Sequence, residues 1–199
     1  DSDVLKKHLA FLRRQKEGLR FGIIGNLSIQ YKGFDVAFKA LSKLKKKGFK
    51  FMFYLVGGGD QTYIRQLITT FDLTNQVEVV GRLESGSKVF EFLDSLDLYI
   101  HPSKQEGLPR AVIEAMSRAC PVVASSVAGI PELLSKDFLH KPGDSEKLYK
   151  DLVNVLNKEN GLEAMAITNF NKSKDYVIDT LKARRSQFFK QAIINNNKS

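Results

Sequence analysis

A chain of 199 residues, 43% hydrophobic and 27% charged, has the length of one domain or one large lobe of something bigger, with apolar material for a sizeable core. No apolar run reaches the roughly 20 residues of a membrane-spanning helix, and the opening DSDVLKKHLAFLRRQKEG lacks the apolar stretch and cleavage site of a signal peptide. The net charge of +9 suits anionic partners such as nucleotides, diphosphates or an acidic membrane surface, while the single cysteine, Cys120, excludes an intramolecular disulfide and a cysteine-based zinc site.

Residues 1–17 read as an amphipathic helix that continues something upstream. Strands are predicted at 19–25 (LRFGIIG), 50–57 (KFMFYLVG), 77–81 (VEVVG), 98–102 (LYIHP), 121–125 (PVVAS) and, shorter, 137–142 (DFLHKP). Helices are predicted between them at 34–48, 60–73, 87–97, 110–119 and 130–135; Phe38, Leu41 and Leu44 recur at helical spacing and Gly48 supplies a stop. After Asp144 the pattern is wholly helical. One helix spans 144–160 behind an Asp-Ser cap signal, and a second spans 173–193 before a frayed NNNKS end. The basic clusters KLKKKGFK and LKARRSQFFK read first as solvated helix surface. With no RNA-binding aromatic signature and no zinc-finger spacing, nucleic acid is not an expected partner.

Strands alternating with helices of these lengths mean βαβ units, hence a parallel sheet covered on both faces. Continuous apolar strands such as GIIG and FYLVG fit burial on both sides. Right-handed crossovers then give an α/β fold, a Rossmann-like doubly wound sheet of about six strands with C-terminal helices. Such sheets bind ligands at the carboxyl ends of the strands. Those ends carry Gly25-Asn26, Gly57-Gly58-Gly59, Gly81-Arg82, His101-Pro102-Ser103 and Ser125-Ser126.

The segment KQEGLPRAVIEAM (104–116) places Glu106 and Glu114 eight positions apart around Gly107 and Pro109. In one continuous helix they would stand roughly 80° apart in azimuth and about 12 Å apart along the axis. Gly107 and Pro109 instead favour a loop bearing Glu106 and a helix bearing Glu114, with Pro109 in the first turn, where its missing N–H costs nothing. Helix-start amides favour a phosphate, and a carboxylate further along suits a pair of ribose hydroxyls. Spacing alone equally admits a helix-capping Glu106 and a surface Glu114.

EGLPRAVIEAM followed by PVVASSVAGIPELL closely resembles the retaining glycosyltransferases of family 4, whose nucleotide-sugar domain carries glutamate, seven residues, glutamate, then a Pro-Val-Val strand and a Gly-Ile-Pro-Glu turn. GNLSIQYKGFDVAFKAL resembles that family's glycine-rich first loop, and LVGGGD, VVGRL and DLYIHPSKQEGLP follow in the expected order. The resemblance runs from about residue 20 to about residue 160. It implies one lobe of a GT-B fold, the C-terminal, donor-binding one. Residues 1–17 would be a lead-in from an N-terminal lobe missing here, 18–172 the nucleotide-sugar domain, and 173–199 a helix that crosses back, with Tyr176, Phe188 and Phe189 uncovered.

By the same resemblance, Glu114 holds the donor ribose, Glu106 contacts hydroxyls of the transferred sugar, and Lys32 neutralises the diphosphate; Glu106 and Lys32 would carry catalysis. Gly25 and Asn26 border the donor. Gly107 and the amides near Leu108, Arg110 and Ala111 cradle phosphate oxygens, and Arg82 and Leu83 wall the base pocket. Arg82 reads equally as a solvated charge, and His101 as either a donor contact or a buried structural histidine. The family usually carries an arginine where this chain has Asn26, and Arg110 is the candidate substitute. The implied reaction moves a sugar from a nucleoside-diphosphate sugar to a hydroxyl acceptor with retention, without a covalent glutamate nucleophile. The acceptor, a glycan or lipid-linked sugar, would sit mainly on the missing lobe. The setting is cytoplasmic, with room for peripheral contact at the inner membrane surface. No cofactor is expected, and no metal, since Asp94 and Asp97 do not form an Asp-x-Asp pair.

Other classes share parts of this pattern. A sugar-nucleotide epimerase would need no acceptor, and a phosphorylase needs a pyridoxal-phosphate lysine region that is not found. A dehydrogenase needs G-x-G-x-x-G and an acid after the second strand, and both are missing. A non-catalytic nucleotide-binding module is permitted by the charge.

Overall fold

The computed structural model describes residues 2–177 and Lys182. Helix α1 (Ser2–Arg13) leads into β1 (Leu19–Ile24), α2 (Phe34–Lys46), β2 (Phe51–Val56), α3 (Thr62–Thr70), β3 (Val77–Gly81) and α4 (Ser87–Asp94). Then follow β4 (Leu98–His101), α5 (Arg110–Ser117), β5 (Val122–Ser125), α6 (Ile130–Leu133), β6 (Leu139–His140), α7 (Ser145–Asn157) and α8 (Gly161–Ser173). The strands form one sheet in the order β3-β2-β1-β4-β5-β6, and every neighbouring pair is parallel. This is the doubly wound, Rossmann-like sheet expected from the alternation of apolar strands and helices. Among the described residues no helix is long and apolar enough to cross a membrane.

The two-residue period of the strands sorts their side chains onto two cores. Phe21, Ile23, Phe53, Leu55, Leu98 and Ile100 face a cluster shared with Phe34, Phe38 and Leu41 of α2 and Leu148 and Leu152 of α7. Tyr99, Val122 and Ala124 face the opposite cluster with Leu93 of α4, Val112 and Met116 of α5, and Ile130 of α6. Each fully buried Phe or Leu contributes roughly 1.5–3 kcal/mol. Because Leu98 and Ile100 turn one way, Tyr99 and His101 both turn toward the α4–α5 side.

The strand order reverses between β1 and β4, so their outgoing loops part and leave a crevice at the carboxyl edge. Two glycines permit the close approach of backbone there. Gly33 has φ +74°, and a Cβ on it would stand 2.1 Å from the Pro102 carbonyl oxygen. A Cβ on Gly57 would stand 1.8 Å from the Gly25 carbonyl oxygen.

At the amino edge, Asp97 is fully buried just before β4. Its carboxylate accepts from Arg14 Nη1 and Nη2 at 3.1 and 3.3 Å and from the Arg20 backbone N–H at 2.8 Å, with Lys16 Nζ at 2.7 Å. Three segments, the end of α1, the lead into β1 and the start of β4, are thereby fastened at one point.

The carboxyl-terminal expectations need correction. Residues 161–173 form α8, which the sequence reading passed over, and residues 174–176 form a 3-10 turn followed by extended backbone at Val177. The buried stripe of α8 includes Gly161, Asn169 and Ser173 beside Leu162, Met165 and Phe170, so polar and small residues blur its apolar period. Met165 Sδ accepts the Val122 N–H at 3.1 Å, and Asn169 donates to the Cys120 carbonyl at 3.4 Å, which ties α8 to β5. Tyr176 is half-buried against the α4–α5 cluster, not uncovered. The rest of the helix expected over 173–193, with Phe188, Phe189 and the NNNKS end, lies outside the described residues.

Removing one partner of a buried ion pair leaves the others uncompensated, at a cost of about 3–5 kcal/mol. Asp97→Ala is therefore expected to lower the melting temperature by roughly 6–20 °C for a domain of this size, measured by calorimetry. A loss of only one or two degrees would show that Asp97 does not fasten the amino edge.

Candidate functional site

A cavity of about 310 Å³ opens in the crevice at the carboxyl edge, lined by Ile24, Lys32, Ser85, His101, Glu106, Leu108, Pro109, Arg110, Ala111 and Glu114. A larger one, about 650 Å³, lies away from the strand ends between the Lys136–Phe138 turn, α7 and α8.

Lys32 closes a 3-10 turn (Gln30–Lys32) ahead of Gly33, and its stem passes within 3.3 Å of the Cβ position of Gly25. From the other side of the crevice, the loop after β4 carries Glu106. Lys32 Nζ donates to Glu106 Oε1 at 2.8 Å, and His101 Nε2 lies 2.9 Å from the same oxygen. The loop is held in register from both neighbours. Lys104 donates its backbone N–H to the Tyr31 carbonyl at 2.7 Å and its Nζ to Asp35 at 2.7 Å. On the other flank Ser125, at the end of β5, donates to the Ser103 carbonyl.

Burial alone would push the Glu106 carboxyl up. Hydrogen bonds from His101, Lys32 and Ser103 outweigh it and bring the pKa down to about 2. Glu114 lies within α5, half-buried, and its carboxyl is pushed up by burial, partly offset by Arg110. No hydrogen bond to the Glu114 carboxylate occurs among the described residues. A loop carboxylate held ionised and a helix carboxylate left without a donor thus border one small polar cavity.

The first helical residue of α5 is Arg110, with Pro109 at the cap one position earlier than expected. The Arg110 N–H is already bonded to the Leu108 carbonyl at 2.8 Å, which withdraws it from the amides expected to meet a phosphate. The Ala111 N–H has no backbone acceptor among the described residues and borders the cavity. The Arg110 side chain is exposed at the rim, and Leu108 stands 70% exposed beside it.

Of the residues singled out from sequence, the fold brings Lys32, Glu106, Leu108, Arg110, Ala111 and Glu114 together, with Gly25 against the Lys32 stem. Asn26, Arg82, Leu83 and Gly107 are not among the residues that line the cavity. Asn26 turns into its own loop, where Oδ1 accepts the Ser28 N–H at 3.0 Å. Ile24, Ser85, Pro109 and His101 complete the walls. Of these, His101 had a legible signal, because strand alternation puts it at a carboxyl end on the side where Glu106 follows.

Residues 18–158 match the family model described as glycosyl transferases group 1. Protein CapJ of Staphylococcus aureus is 28% identical over 180 residues, covering 90% of this chain and 45% of CapJ. The amylovoran biosynthesis glycosyltransferase AmsK of Erwinia amylovora is 34% identical over 127 residues, covering 59% of this chain and 31% of AmsK. Among solved structures, Anabaena HepE in complex with UDP-glucose superposes with a TM-score of 0.76 at 23% identity, over 96% of this chain and 53% of HepE. At that identity the likeness shows the fold. The chain spans about half the length, or less, of these relatives.

Because the native state holds the Glu106 proton less tightly than the unfolded chain, Glu106 stabilises the fold fully above the unfolded carboxyl pKa, about 4.3, and loses that contribution as pH falls toward 2. The unfolding free-energy difference between wild type and Glu106→Gln is expected to narrow by on the order of 1–2 kcal/mol as pH falls from about 4.5 to about 3, after discounting for solvent at the cavity mouth. Urea unfolding of both proteins down to pH 3 measures it. His8 and His140, both pushed down to about 4 by burial, weaken both proteins alike in acid and cancel in the difference. A difference that ignores pH would mean that Glu106 is not held ionised by its neighbours.

Proposed function

Because the chain belongs to the glycosyl transferases of group 1, we propose that it is the donor-binding, C-terminal lobe of a retaining, family 4 enzyme that moves a hexose from a nucleoside-diphosphate sugar to a hydroxyl acceptor. The observation that carries this reading is the convergence of Lys32, Glu106, Glu114 and the start of α5 on one cavity at the β1–β4 switch point. HepE, solved with UDP-glucose, supports a nucleotide-sugar donor. AmsK, named for amylovoran biosynthesis, supports a role in polysaccharide assembly.

The cavity is ordered as the donor requires. At α5, the free Ala111 N–H and the positive end of the helix dipole favour the diphosphate. Glu114, partly desolvated and without a donor, accepts from the two ribose hydroxyls, which replace the water it has lost. Glu106, kept anionic, accepts from hydroxyls of the transferred sugar. Lys32 moves from Glu106 to the diphosphate when the donor enters, as a compact charge for the leaving group. Arg110, at the rim, adds the cationic contact that Asn26 does not supply, since the Asn26 side chain is bound to its own loop.

In the transfer, the bond between the anomeric carbon and the diphosphate oxygen breaks with its electron pair going to the diphosphate. The acceptor oxygen bonds to the same face of that carbon, and its proton passes to the departing phosphate. Positioning and charge stabilisation carry the rate, with no covalent sugar–protein bond. The acceptor site is assigned to sequence beyond this chain, which matches only about half of its relatives.

A thermal-shift panel of UDP, GDP, ADP and their glucose and mannose conjugates tests the reading. One base is expected to raise the melting temperature, since a ligand selective for the native state stabilises it by mass action. Lys32→Ala is expected to weaken that nucleotide by roughly 10–100-fold, the worth of a charge-assisted hydrogen bond. The chain by itself is expected to transfer no sugar. Absence of any shift across the panel, or interconversion of a nucleotide sugar without acceptor, would sink the reading.

A further inference from the structure

Behind Glu106 lies a buried hydrogen-bond chain that the donor-binding roles do not use. Tyr99 is fully buried on β4, two residues before His101 and on the same side of the sheet. Its hydroxyl oxygen accepts the Ile24 backbone N–H at 3.4 Å and lies 3.3 Å from His101 Nδ1. His101, itself 3% exposed, meets Glu106 Oε1 with its other nitrogen at 2.9 Å.

The proton positions in this chain follow from counting donors. The Tyr99 hydroxyl hydrogen has one acceptor among the described residues, His101 Nδ1. A proton on Nδ1 would leave that hydrogen buried and unbonded, which costs about 1–3 kcal/mol. Burial also holds the phenol well above its ordinary pKa, so it keeps the hydrogen. The imidazole is therefore the Nε2–H form, and its one N–H points at Glu106.

We propose that His101, fixed in this tautomer by Tyr99, is a positioning residue that holds Oε1 of Glu106 in place while Lys32 is exchanged between Glu106 and the donor diphosphate. The inference rests on the functional reading above and adds a residue to it. Lys32 and His101 share Oε1, and the side chain of Ser103, on the same loop as Glu106, also bonds the carboxylate. When Lys32 departs, a loop carboxylate held only by Ser103 of its own loop would swing with that loop. His101 is attached to a strand and backed by Tyr99, so it does not move with the ligand. The second oxygen of Glu106 then stays aimed at the sugar. Lys32 exchanges and His101 stays, a division of labour set by their anchorage: one on a 3-10 turn over Gly25, the other on the central sheet.

Nitrogen-15 correlation spectra of the histidines, together with calorimetric titration by UDP and UDP-glucose (GDP and ADP pairs alongside), test this on the chain itself. The wild type is expected to show a His101 proton on Nε2 and none on Nδ1, and Tyr99→Phe to show a mixture of tautomers. His101→Phe, which keeps a ring of similar bulk, is expected to cut the preference for the nucleotide sugar over the bare diphosphate about tenfold, with diphosphate affinity changed less than twofold. His101→Gln, whose amide N–H reaches about as far as Nε2, is expected to restore most of that preference. An Nδ1–H tautomer in the wild type, or an unaltered preference in His101→Phe with the diphosphate still bound, would overturn the proposal. Should His101→Phe fail to fold, Tyr99→Phe carries the same two readouts. Failure of every diphosphate to bind the wild type would instead remove the donor-binding reading, and the tautomer spectrum would still decide the Tyr99–His101 chain.

Discussion

One oxygen of Glu106 receives both Lys32 and His101, and that three-way contact spans the gap where β1 and β4 part. Lys32 arrives from the loop after β1, whereas Glu106 and His101 arrive from the end of β4. A parallel sheet whose crossovers leave to opposite faces cannot fill the space above its switch point with backbone, so side chains meet there instead. The carboxylate stays ionised because hydrogen bonds from His101, Lys32 and Ser103 outweigh the burial that would push its pKa up. Bringing the two loops this close depends on Gly33 lying against the Pro102 carbonyl, a spot where no Cβ fits.

Asp97 at the amino edge and Glu114 at the carboxyl edge stand in opposite surroundings. At the amino edge Asp97 is saturated by Arg14, Lys16 and the Arg20 N–H, and it fastens three segments together. At the carboxyl edge Glu114 is half-buried and receives no donor, and its carboxyl is correspondingly pushed up. A desolvated acceptor left open costs stability unless something fills it. Glu106, at the same edge, is paired as Asp97 is, so Glu114 is the carboxylate there that stays open.

The base of the first loop is closed by its own polar groups. The Asn26 side chain closes a local turn on Ser28. Ser28 Oγ in turn accepts the Asp60 N–H at 2.7 Å, so the loops after β1 and β2 are stitched together by neutral groups. The first loop thereby gains rigidity and presents one cation, Lys32, to the cavity. Arg110 brings a second charge to the rim from α5.

The sequence by itself determined the architecture and which loops end together at the carboxyl edge. Continuous apolar strands ending in glycine or small polar residues have few ways to be buried except in a two-sided parallel sheet, so the strands at 19–24, 51–56, 77–81, 98–101 and 122–125 were legible to within a residue or two. Glu106, Pro109 and Glu114 were legible because a loop, a helix-starting proline and a helix impose their own geometry. Helix α8 was not, because its buried face uses Gly161, Asn169 and Ser173, which match specific neighbours and not a hydropathy period. Nor was the pairing of Lys32 with Glu106, the inward turn of Asn26, or the Tyr99–His101 chain. Those depend on which strands become neighbours and how far apart their loops end, distances that tertiary packing fixes and no local pattern encodes.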